Sequence, residues 1–362
     1  MGLTMISAES RAFFNELTTT PSPSGYEQPV QRVVRDWAQR YADEVRTDVH
    51  GSVVATRNAG GSPRILLDGH CDQIGLMVQH IDKHGFLYFQ PIGGWDTYIL
   101  LGQSVVVWTE SGPVDGAIGR KAKHLQTASD RKGVPQLKDL WIDIGVADRD
   151  EAQQKVRIGD PVTVRLGTRD LPHDRVCGPK MDNSAGLFVV FETLRRLHEE
   201  PGEMGGAAVF FVSAVQEEVG LRGARTAAFG IDPDIGIAVD VTHATDCPTI
   251  DKREHGEINL GDGPVVFRGP NINPVLHQRL CTIAEAKGLA IQHKGANRGT
   301  PNDANVLQLT RAGVATAALG IPNRYMHTPA EIISLRDLDT AASLLCELVR
   351  SAADGESLIP GE

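Results

Sequence analysis

Two adjacent carboxylates stand directly after an apolar, strand-like run in the second half of the chain. Glu217 and Glu218 follow residues 212–215, and a glycine-rich turn at 220–223 lies behind them. An ionised carboxylate that leaves water loses several kcal/mol of hydration unless a cation or hydrogen bonds compensate for it. Two acids at the end of a buried strand therefore indicate a positive partner, and a bound metal ion would supply that charge.

Further candidate ligands follow other apolar segments that are rich in β-branched residues. They are His70, Asp72, Asp240 and His327. Such segments alternate with helical patterns and predict the buried strands of a mostly parallel sheet. In sheets of this kind, ligands gather beyond the carboxyl ends of the strands. We therefore expect these side chains to meet Glu217 and Glu218 at one edge of the sheet.

Asp182 completes the set from the opposite end of a helix. It precedes residues 183–199, which carry a helical pattern, and a carboxylate at a helix start is stabilised by free amide donors and by the helix dipole. His70 and Asp72 are two residues apart, so they face the same way in extended backbone. Asp72 could then hold the second ring nitrogen of a metal-binding His70.

The chemistry that these residues could perform is metal-assisted hydrolysis. Two divalent cations about 3.5 to 4 Å apart polarise a carbonyl, supply hydroxide near neutral pH and stabilise an oxyanion. Five protein ligands with one shared carboxylate fit that arrangement, and imidazole with carboxylate is typical of hydrolytic zinc. One of Glu217 and Glu218 would face the metals while the other acts as general base. The residues alone leave open which glutamate has which role.

Each residue also has a plain structural interpretation when it is taken alone. A single histidine after a strand is more often a packing residue than a ligand, and Asp182 could simply cap its helix. These interpretations would all have to hold together for five residues expected at one sheet edge, so the metal site is favoured. Histidines without this pattern are expected on the surface or in packing, namely His80, His124, His173 and His243. Asp246 could support a ligand or serve only its loop.

Composition restricts the class of protein. The chain has 362 residues, which favours two domains over one, and its 41% hydrophobic and 23% charged residues are ordinary for a globular protein. It contains no apolar run near the roughly 20 residues of a membrane span, and charged residues within 1–14 argue against a signal peptide. We therefore predict a cytoplasmic protein with no membrane partner.

Charge and cysteine usage exclude further classes. A formal net charge of -10 argues against a nucleic-acid partner, because phosphate binding needs a basic face. The five cysteines form no CxxC pair, so reduced thiols are expected rather than a disulfide framework. Cys71 lies between His70 and Asp72, but in extended backbone it would point away from both, and we expect it to pack in the interior.

The pattern of predicted helices and strands changes twice along the chain. Helical patterns at 7–17 and 26–42 precede a region, from about 76 to 171, of short strand-like runs punctuated by Gly, Pro and Asp, which predicts a small all-β module. The α/β alternation resumes after Val176. We therefore predict one α/β domain, residues 1–75 and 176–362, with residues 76–175 inserted into it. Later predicted helices are 183–199, 222–229, 273–287, 303–311 and 336–352, and later predicted strands are 207–214, 235–240 and 314–319.

Seven stretches carry a resemblance to a known family: 23–27, 69–75, 142–145, 178–183, 216–224, 303–305 and 324–327. Their residues resemble the co-catalytic metallo-aminopeptidases of metallopeptidase family 42, the glutamyl and tetrahedral (TET) aminopeptidases, some of which carry an endoglucanase label. The glutamate stretch, QEEVGLRGA at 216–224, is the most specific of them, and the resemblance extends nearly from end to end.

The resemblance implies a role for each candidate residue. His70 and Asp240 would hold one metal, Glu218 and His327 the other, and Asp182 both. Glu217 would be the general base and Asp72 its acidic companion. The implied cofactors are two divalent ions, zinc by preference, although cobalt and manganese accept the same ligands.

The resemblance also implies a fold and an assembly. The expected fold is a mixed-sheet α/β aminopeptidase (phosphorylase/hydrolase-like) domain with an inserted β-rich, PDZ-like dimerisation domain, and the expected assembly is a homo-oligomer built from dimers, up to a dodecamer. The substrates would be peptides. Three features depart from the family pattern: Gln73 stands where Glu is usual, Ser184 replaces a frequent Arg, and 298–302 rewrites the segment before Asp303.

Two other functions compete with the aminopeptidase prediction. A glycan hydrolase is suggested only by the endoglucanase label, and it would need two carboxylates roughly 5 to 9.5 Å apart but no paired metals. The second alternative is a catalytically inactive metal-binding protein that serves assembly through its β-rich module. The presence of both Asp72 and Glu217 argues against that alternative.

Overall fold

The computed structural model describes residues 6–127, 133–200, 204–353 and 355–362. Its helices are Ala8–Thr19 (α1), Gln28–Ala38 (α2), Thr97–Leu100 (α3), Arg149–Lys155 (α4), Met181–Glu199 (α5), Arg222–Ile231 (α6), Lys252–His255 (α7), Pro274–Lys287 (α8), Ala304–Leu307 (α9) and Leu335–Arg350 (α10). None of the helices in these ranges is long and apolar enough to cross a membrane.

The strands fall into a large sheet, a small sheet and a barrel. In chain order they are Glu44–Thr47 (β1), Val53–Arg57 (β2), Arg64–His70 (β3), Gly75–Ile81 (β4), Leu87–Ile92 (β5), Ser104–Thr109 (β6), Gly112–Gly119 (β7), Trp141–Asp143 (β8), Pro161–Val164 (β9), Arg169–Leu171 (β10), Arg175–Gly178 (β11), Ala208–Ala214 (β12), Ile235–His243 (β13), Val265–Arg268 (β14), Gln292–Gly295 (β15), Ala315–Asn323 (β16) and Glu331–Ser334 (β17).

The large sheet has the strand order β1-β2-β12-β3-β13-β16-β14-β15. Its centre is parallel, since β12, β13 and β16 all run in the direction of β3. Towards the edges, β2 is antiparallel to β12, and β14 is antiparallel to β16. The mixed-sheet prediction is therefore confirmed, and parallel pairing holds for the central strands that carry the candidate ligands and for β14 with β15.

Burial of the central strands on both faces explains their long apolar runs. All seven residues of β12 are buried, as expected for a central strand covered by helices on both sides. The long helix α5 packs along β3 and β13 and against α1 and α10. Phe188 of α5 meets Phe14 edge to face at 5.5 Å between ring centroids. This packing holds the amino-terminal end of α5 beside the carboxyl ends of the central strands.

The inserted strands close on themselves. Strands β4-β5-β8-β7-β6-β9 form a closed barrel with a hydrophobic core of its own, which includes Leu76, Leu87, Val107 and Ile142. The β-rich module is thus present as a barrel. Its PDZ-like and dimerisation character, and the limits 76–175, stay predictions. Strands β10 and β11 instead pair with β17 in a three-stranded sheet.

Several predicted elements differ in length from the observed ones. The predicted helix at 303–311 contains only the short α9, Ala304–Leu307. The predicted strand 235–240 continues to His243, because β16 pairs with β13 as far as Asn323. Strands β14, β15 and β17 were not predicted. Each has four residues, and β15 is polar with alternating exposed positions, so local sequence carries little signal for it.

Candidate active site

Parallel strand pairing brings the first candidate ligands together. His70 is the last residue of β3 and lies opposite Ala214, the last residue of β12, so Glu217 and Glu218 emerge beside it. Asp240 lies within β13 rather than at its end. The pairing of β3 with β13 stops at Asp68 and Ala238, however, so Asp240 lies beyond the paired part of β3 and faces His70.

Asp182 reaches the site from a distorted helix start. Lys180 has a left-handed backbone with φ of 66°, and Asp182 departs from helical geometry with ψ of 106°. The side chain of Asn183 fixes this turn, because its Nδ2 donates to the Val239 carbonyl at 2.8 Å while its Oδ1 accepts from the Gly186 amide at 2.8 Å. Asp182 is therefore anchored to β13 next to Asp240.

The Asp182 carboxylate lies between two imidazoles. Its Oδ1 is 3.3 Å from His70 Nε2, and its Oδ2 is 3.2 Å from His327 Nε2. Each oxygen of one carboxylate thus faces a different histidine. This is the geometry expected of a residue that is shared between two cations.

The remaining carboxylates divide between the two histidines. Asp240 Oδ1 is 3.6 Å and Glu217 Oε2 is 3.9 Å from His70 Nε2, whereas Glu218 Oε2 is 3.5 Å from His327 Nε2. The possible ligand atoms of His70, Glu217 and Asp240 lie within 4.8 Å of one another, as do those of Asp182, Glu218 and His327. The structure therefore brings all six side chains together in two adjoining groups.

Hydrogen bonds at Nδ1 aim both histidines into the site. His70 Nδ1 is 3.1 Å from the carbonyl oxygen of Asp72 and 3.4 Å from its carboxylate Oδ1. His327 Nδ1 is 2.9 Å from the carbonyl oxygen of Gly94 in the inserted region. When Nδ1 donates to an oxygen, Nε2 presents a lone pair, which is the arrangement found in histidines that bind metals.

Asp72 also holds the backbone of the paired glutamates. Its carboxylate accepts the Glu217 amide at 2.9 Å, the Glu218 amide at 3.1 Å and the Ser24 hydroxyl at 2.7 Å. Burial alone would raise the pKa of Asp72, but hydrogen bonds and the charge of His70 lower it below its usual value. Asp72 therefore stays ionised and fixes where the two glutamates begin.

The site holds more buried carboxyl groups than its two histidines can balance. Burial raises the pKa of Glu217 to about 9 and raises the pKa of Glu218 and of Asp240. For Asp182, hydrogen bonds from His327 and His70 outweigh burial and lower the pKa. Glu218 Oε1 is buried and has no hydrogen-bond partner among the described residues. Such a donor set fits divalent cations, because cations would compensate the charges that burial otherwise disfavours.

Glu331 supports two of the candidate ligands and was not predicted from the sequence. Its buried carboxylate accepts the Asp182 amide at 2.9 Å and the His327 amide at 2.8 Å. Burial raises the pKa of Glu331 to about 8. The pairing of β17 with β11, in which Glu331 lies opposite Gly178, places Glu331 beside the site. A glutamate four residues after a candidate ligand was the sole available clue.

Asp303 and Asp68 form a second buried pair of carboxyls behind His70. Burial raises the pKa of Asp68 to about 7 and raises that of Asp303 further above its usual value. Asp303 belongs to one of the stretches that carried the family resemblance. No separate role was predicted for Asp303.

The other residues singled out in the sequence have structural surroundings. Asp246 binds Arg324 through two hydrogen bonds of 2.7 Å, which ties down the loop that leads to His327. Cys71 is buried in the main hydrophobic core, and the cysteines are free thiols. The four histidines left outside the site are exposed, namely His80, His124, His173 and His243.

The three departures from the family pattern lie close to the site. Gln73 is buried, and its side chain accepts the Ser22 amide at 3.3 Å. Ser184 carries a buried hydroxyl with no hydrogen-bond partner in the described part of the chain. In the segment 298–302, the Thr300 hydroxyl joins Asn271 and Asn302 at 2.7 Å each. None of the three departures removes a candidate ligand.

A cavity of about 300 Å³ lies beside the loop that leads to His327. It shares residues with the loop before His327 and with the end of β13, and it is lined by His243, Ala244, Thr245, Cys247, Ile250, His255, Lys294, Asn323, Tyr325 and Met326. Lys294 is half-buried, and its Nζ lies 3.1 Å from the Thr242 hydroxyl. Burial lowers the pKa of Lys294. The residues that line the cavity thus include the positively charged Lys294 but none of the site's carboxylates.

Comparisons with known proteins find similarity over most of the chain. The model of the family described as M42 glutamyl aminopeptidase matches residues 51–344. A lysyl aminopeptidase from Pyrococcus furiosus is 38% identical over 334 residues, which cover 91% of this chain and 93% of that protein.

Solved structures are similar over nearly the whole chain. A TET aminopeptidase from a marine sediment Thaumarchaeota archaeon has a TM-score of 0.91 at 33% identity, covering 95% of this chain and 97% of that one. The Pyrococcus horikoshii TET1 peptidase, which can assemble into a tetrahedron or a large octahedral shell, has a TM-score of 0.84 at 29% identity, covering 95% of this chain and 100% of that one.

Proposed function

Because this chain belongs to the M42 glutamyl aminopeptidase family, we propose that it removes amino-terminal residues from peptides at a site with two metal ions. The chain is a peptidase by its family. The observation that carries the two-metal proposal is the Asp182 carboxylate, whose two oxygens face His70 and His327 separately. A carboxylate so placed can be shared between two cations.

The proposed ligands follow the two groups. His70 and Asp240 hold one cation, Glu218 and His327 hold the other, and Asp182 serves both. When bound, the cations polarise the scissile carbonyl, lower the pKa of water and stabilise the oxyanion. Zinc suits this imidazole and carboxylate set, and cobalt and manganese suit it too.

Glu217 is the proposed general base. The Asp72 carboxylate fixes its backbone amide, and its side chain lies beside His70. Glu217 takes a proton from water as the water oxygen bonds to the carbonyl carbon. It then returns that proton to the nitrogen of the departing amine as the carbon–nitrogen bond breaks. In this proposal Asp72 is a positioning residue, because it acts through the backbone of Glu217 and Glu218.

A chelation experiment on the full chain tests this function against both alternatives. On a panel of aminoacyl anilides, we expect activity to fall at least ~100-fold after metal stripping and to return with zinc, cobalt or manganese, since the metals supply several kcal/mol of transition-state stabilisation. Hydrolysis of a β-glucan that survives stripping would favour the glycan-hydrolase alternative. No turnover on any anilide by the metal-loaded protein would favour the inactive assembly protein.

We propose that the cavity beside His327 receives the side chain of the amino-terminal residue and prefers an acidic one. Lys294 offers a half-buried ammonium there, and an ion pair removed from bulk water is stronger than one at an exposed surface. The residues that line the cavity include no carboxylate that would compete for Lys294.

The Lys294→Met variant tests this preference. We expect kcat/KM for a glutamyl anilide to fall ~10-fold or more, because a hydrogen bond to a charged group contributes about 1.5 to 3 kcal/mol. The value for a leucyl anilide, measured in parallel, should change less than about threefold, since methionine keeps most of the apolar stem. Equal losses on both substrates would contradict a role in selectivity.

We also propose that the chain forms a homo-oligomer. The P. horikoshii TET1 peptidase, to which this chain is similar over 95% of its length, assembles into closed shells. The barrel formed by β4 to β9 has a core separate from the main one, so it can present a contact surface without disturbing the ligand cluster. In this proposal that module, residues 76–175, joins the subunits in pairs.

A further inference from the structure

A second group of potential metal ligands lies outside the candidate active site. His277 and Cys281 are on α8 and His293 is on β15, and their possible ligand atoms all lie within 4.8 Å of one another. We propose that these three residues form a separate binding site for a divalent cation of the zinc class. The site lies within one β14-α8-β15 unit, in which the two strands are parallel neighbours.

The helix places two of the ligands on one face. His277 and Cys281 are four residues apart, so their side chains lie one above the other on α8. The Cys281 Sγ is 3.6 Å from His277 Nε2. Asn273 caps the start of the helix by accepting the amides of Val275 and Leu276 at 2.9 and 3.0 Å, which fixes the first turn and with it His277.

The strand directs the third ligand towards the same helix. Lys294, the neighbour of His293, contacts Thr242, and successive side chains of a strand point to opposite faces. His293 therefore points away from Thr242 and towards α8, where its ring lies 6.1 Å from that of His277 between centroids. The pairing of His293 with Val266 on β14 fixes the position of His293 along the strand direction.

A backbone hydrogen bond orients His277 for ligation. Its Nδ1 lies 3.0 Å from the carbonyl oxygen of Phe267 on β14. A ring that donates from Nδ1 to a carbonyl presents the lone pair of Nε2, and metal-binding histidines commonly have this arrangement. Here the Nε2 atom is the one that faces Cys281. The ring is thus already turned for binding.

The ligand types determine which cation fits. One thiolate and two imidazoles form a borderline-soft set that suits zinc or cobalt rather than magnesium or calcium, and three protein ligands leave a fourth position for water. Burial, with the charges of His293 and Arg268, lowers the pKa of His277. The positive charge of Arg268 would oppose a bound cation. The Cys281 thiol loses its proton when it binds the metal, and the negative charge of the thiolate compensates for Arg268.

The cation would join α8 to the edge of the large sheet. Strand β15 has four residues and ends the strand order, so within the described part of the chain it pairs only with β14. Ligation through His293 would add an attachment from β15 to the helix. We therefore expect metal binding to stabilise this unit by RT ln(1 + M/Kd), where M is the free metal concentration, so that stability rises with the logarithm of that concentration.

Cobalt spectroscopy on the full-length, metal-stripped protein tests the proposal independently of the proposed function. A cysteine thiolate bound to Co²⁺ gives a charge-transfer band in the near ultraviolet, whereas the carboxylates and imidazoles of the candidate active site cannot. We expect the band to saturate at the intensity of one thiolate-bound cobalt per chain, once the added cobalt also suffices for the two proposed active-site positions. We also expect Cys281→Ser to abolish it and His293→Ala to weaken the underlying binding more than ~10-fold, since even lost outer-shell partners cost about that much.

Two control variants distinguish cobalt binding at this site from binding at another thiol and from an effect of misfolding. Cys247 is another half-buried free thiol, and Cys247→Ser should keep the full band. His293 is exposed, so His293→Ala leaves the core intact and reports on ligation even if Cys281→Ser folds poorly. A wild-type protein that binds cobalt without the band, or a band that persists in Cys281→Ser, would overturn the proposal. Loss of aminopeptidase activity alone would not affect it.

Discussion

The Glu217→Gln variant is expected to keep its metal ions and to lose ~100-fold to 10,000-fold in kcat, the usual contribution of a general base. Glutamine has almost the same shape as glutamate, and its backbone amide can still donate to Asp72 as the Glu217 amide does at 2.9 Å. What the amide side chain loses is the ability to accept a proton and to return it. The change therefore removes the proposed proton carrier and leaves the proposed ligands in place.

The neighbouring glutamate provides the matched control. Glu218 differs by one position, and its side chain faces His327 rather than His70, so Glu218→Gln should lower the metal content. Turnover of the best anilide and metal content by elemental analysis would be measured on both variants. An active Glu217→Gln variant, or one that loses metal as Glu218→Gln does, would contradict the assignment of the two glutamates.

The convergence of the ligand candidates could be predicted because it follows from sheet geometry. Parallel strands end at a common edge, and His70 and the Glu217–Glu218 pair each follow a central parallel strand. The distribution of the ligands between two metals and the separate roles of the two glutamates needed the family resemblance. A pattern of apolar runs shows where strands end, but it does not show which of two adjacent side chains turns inward.

The parts that could not be predicted depend on contacts between distant segments. The Glu331 carboxylate accepts the amide of Asp182, which is 149 residues away in the sequence. The Asp72 carboxylate accepts the amide of Glu217, which is 145 residues away. The carbonyl oxygen of Gly94 in the inserted region contacts the ring of His327, which is 233 residues away in the sequence. Such contacts leave no periodicity in the sequence. Closure of the barrel and the pairing of β17 with β11 were missed for the same reason.

Asp182→Ala is expected to remove both proposed metal ions and with them nearly all activity. Asp182 is the carboxylate whose Oδ1 faces His70 and whose Oδ2 faces His327. Its loss would take a ligand from each cation at once and would leave the two histidines without their common partner. If about 4 kcal/mol of metal-dependent stabilisation is lost, kcat/KM falls by ~1,000-fold. Metal content by elemental analysis, expected to fall towards zero, and anilide hydrolysis would be measured together.

The same variant separates a shared ligand from a helix cap, which is the other role that its position allows. Asp148 offers the matched control, because its side chain caps α4 by accepting the Glu151 amide at 3.0 Å and belongs to neither ligand group. Asp148→Ala should cost about 1 kcal/mol of stability with metal content and activity unchanged. If Asp182→Ala behaved in that way, with both ions retained, the Asp182 carboxylate would serve only the start of α5 and the two-metal proposal would lose its central residue.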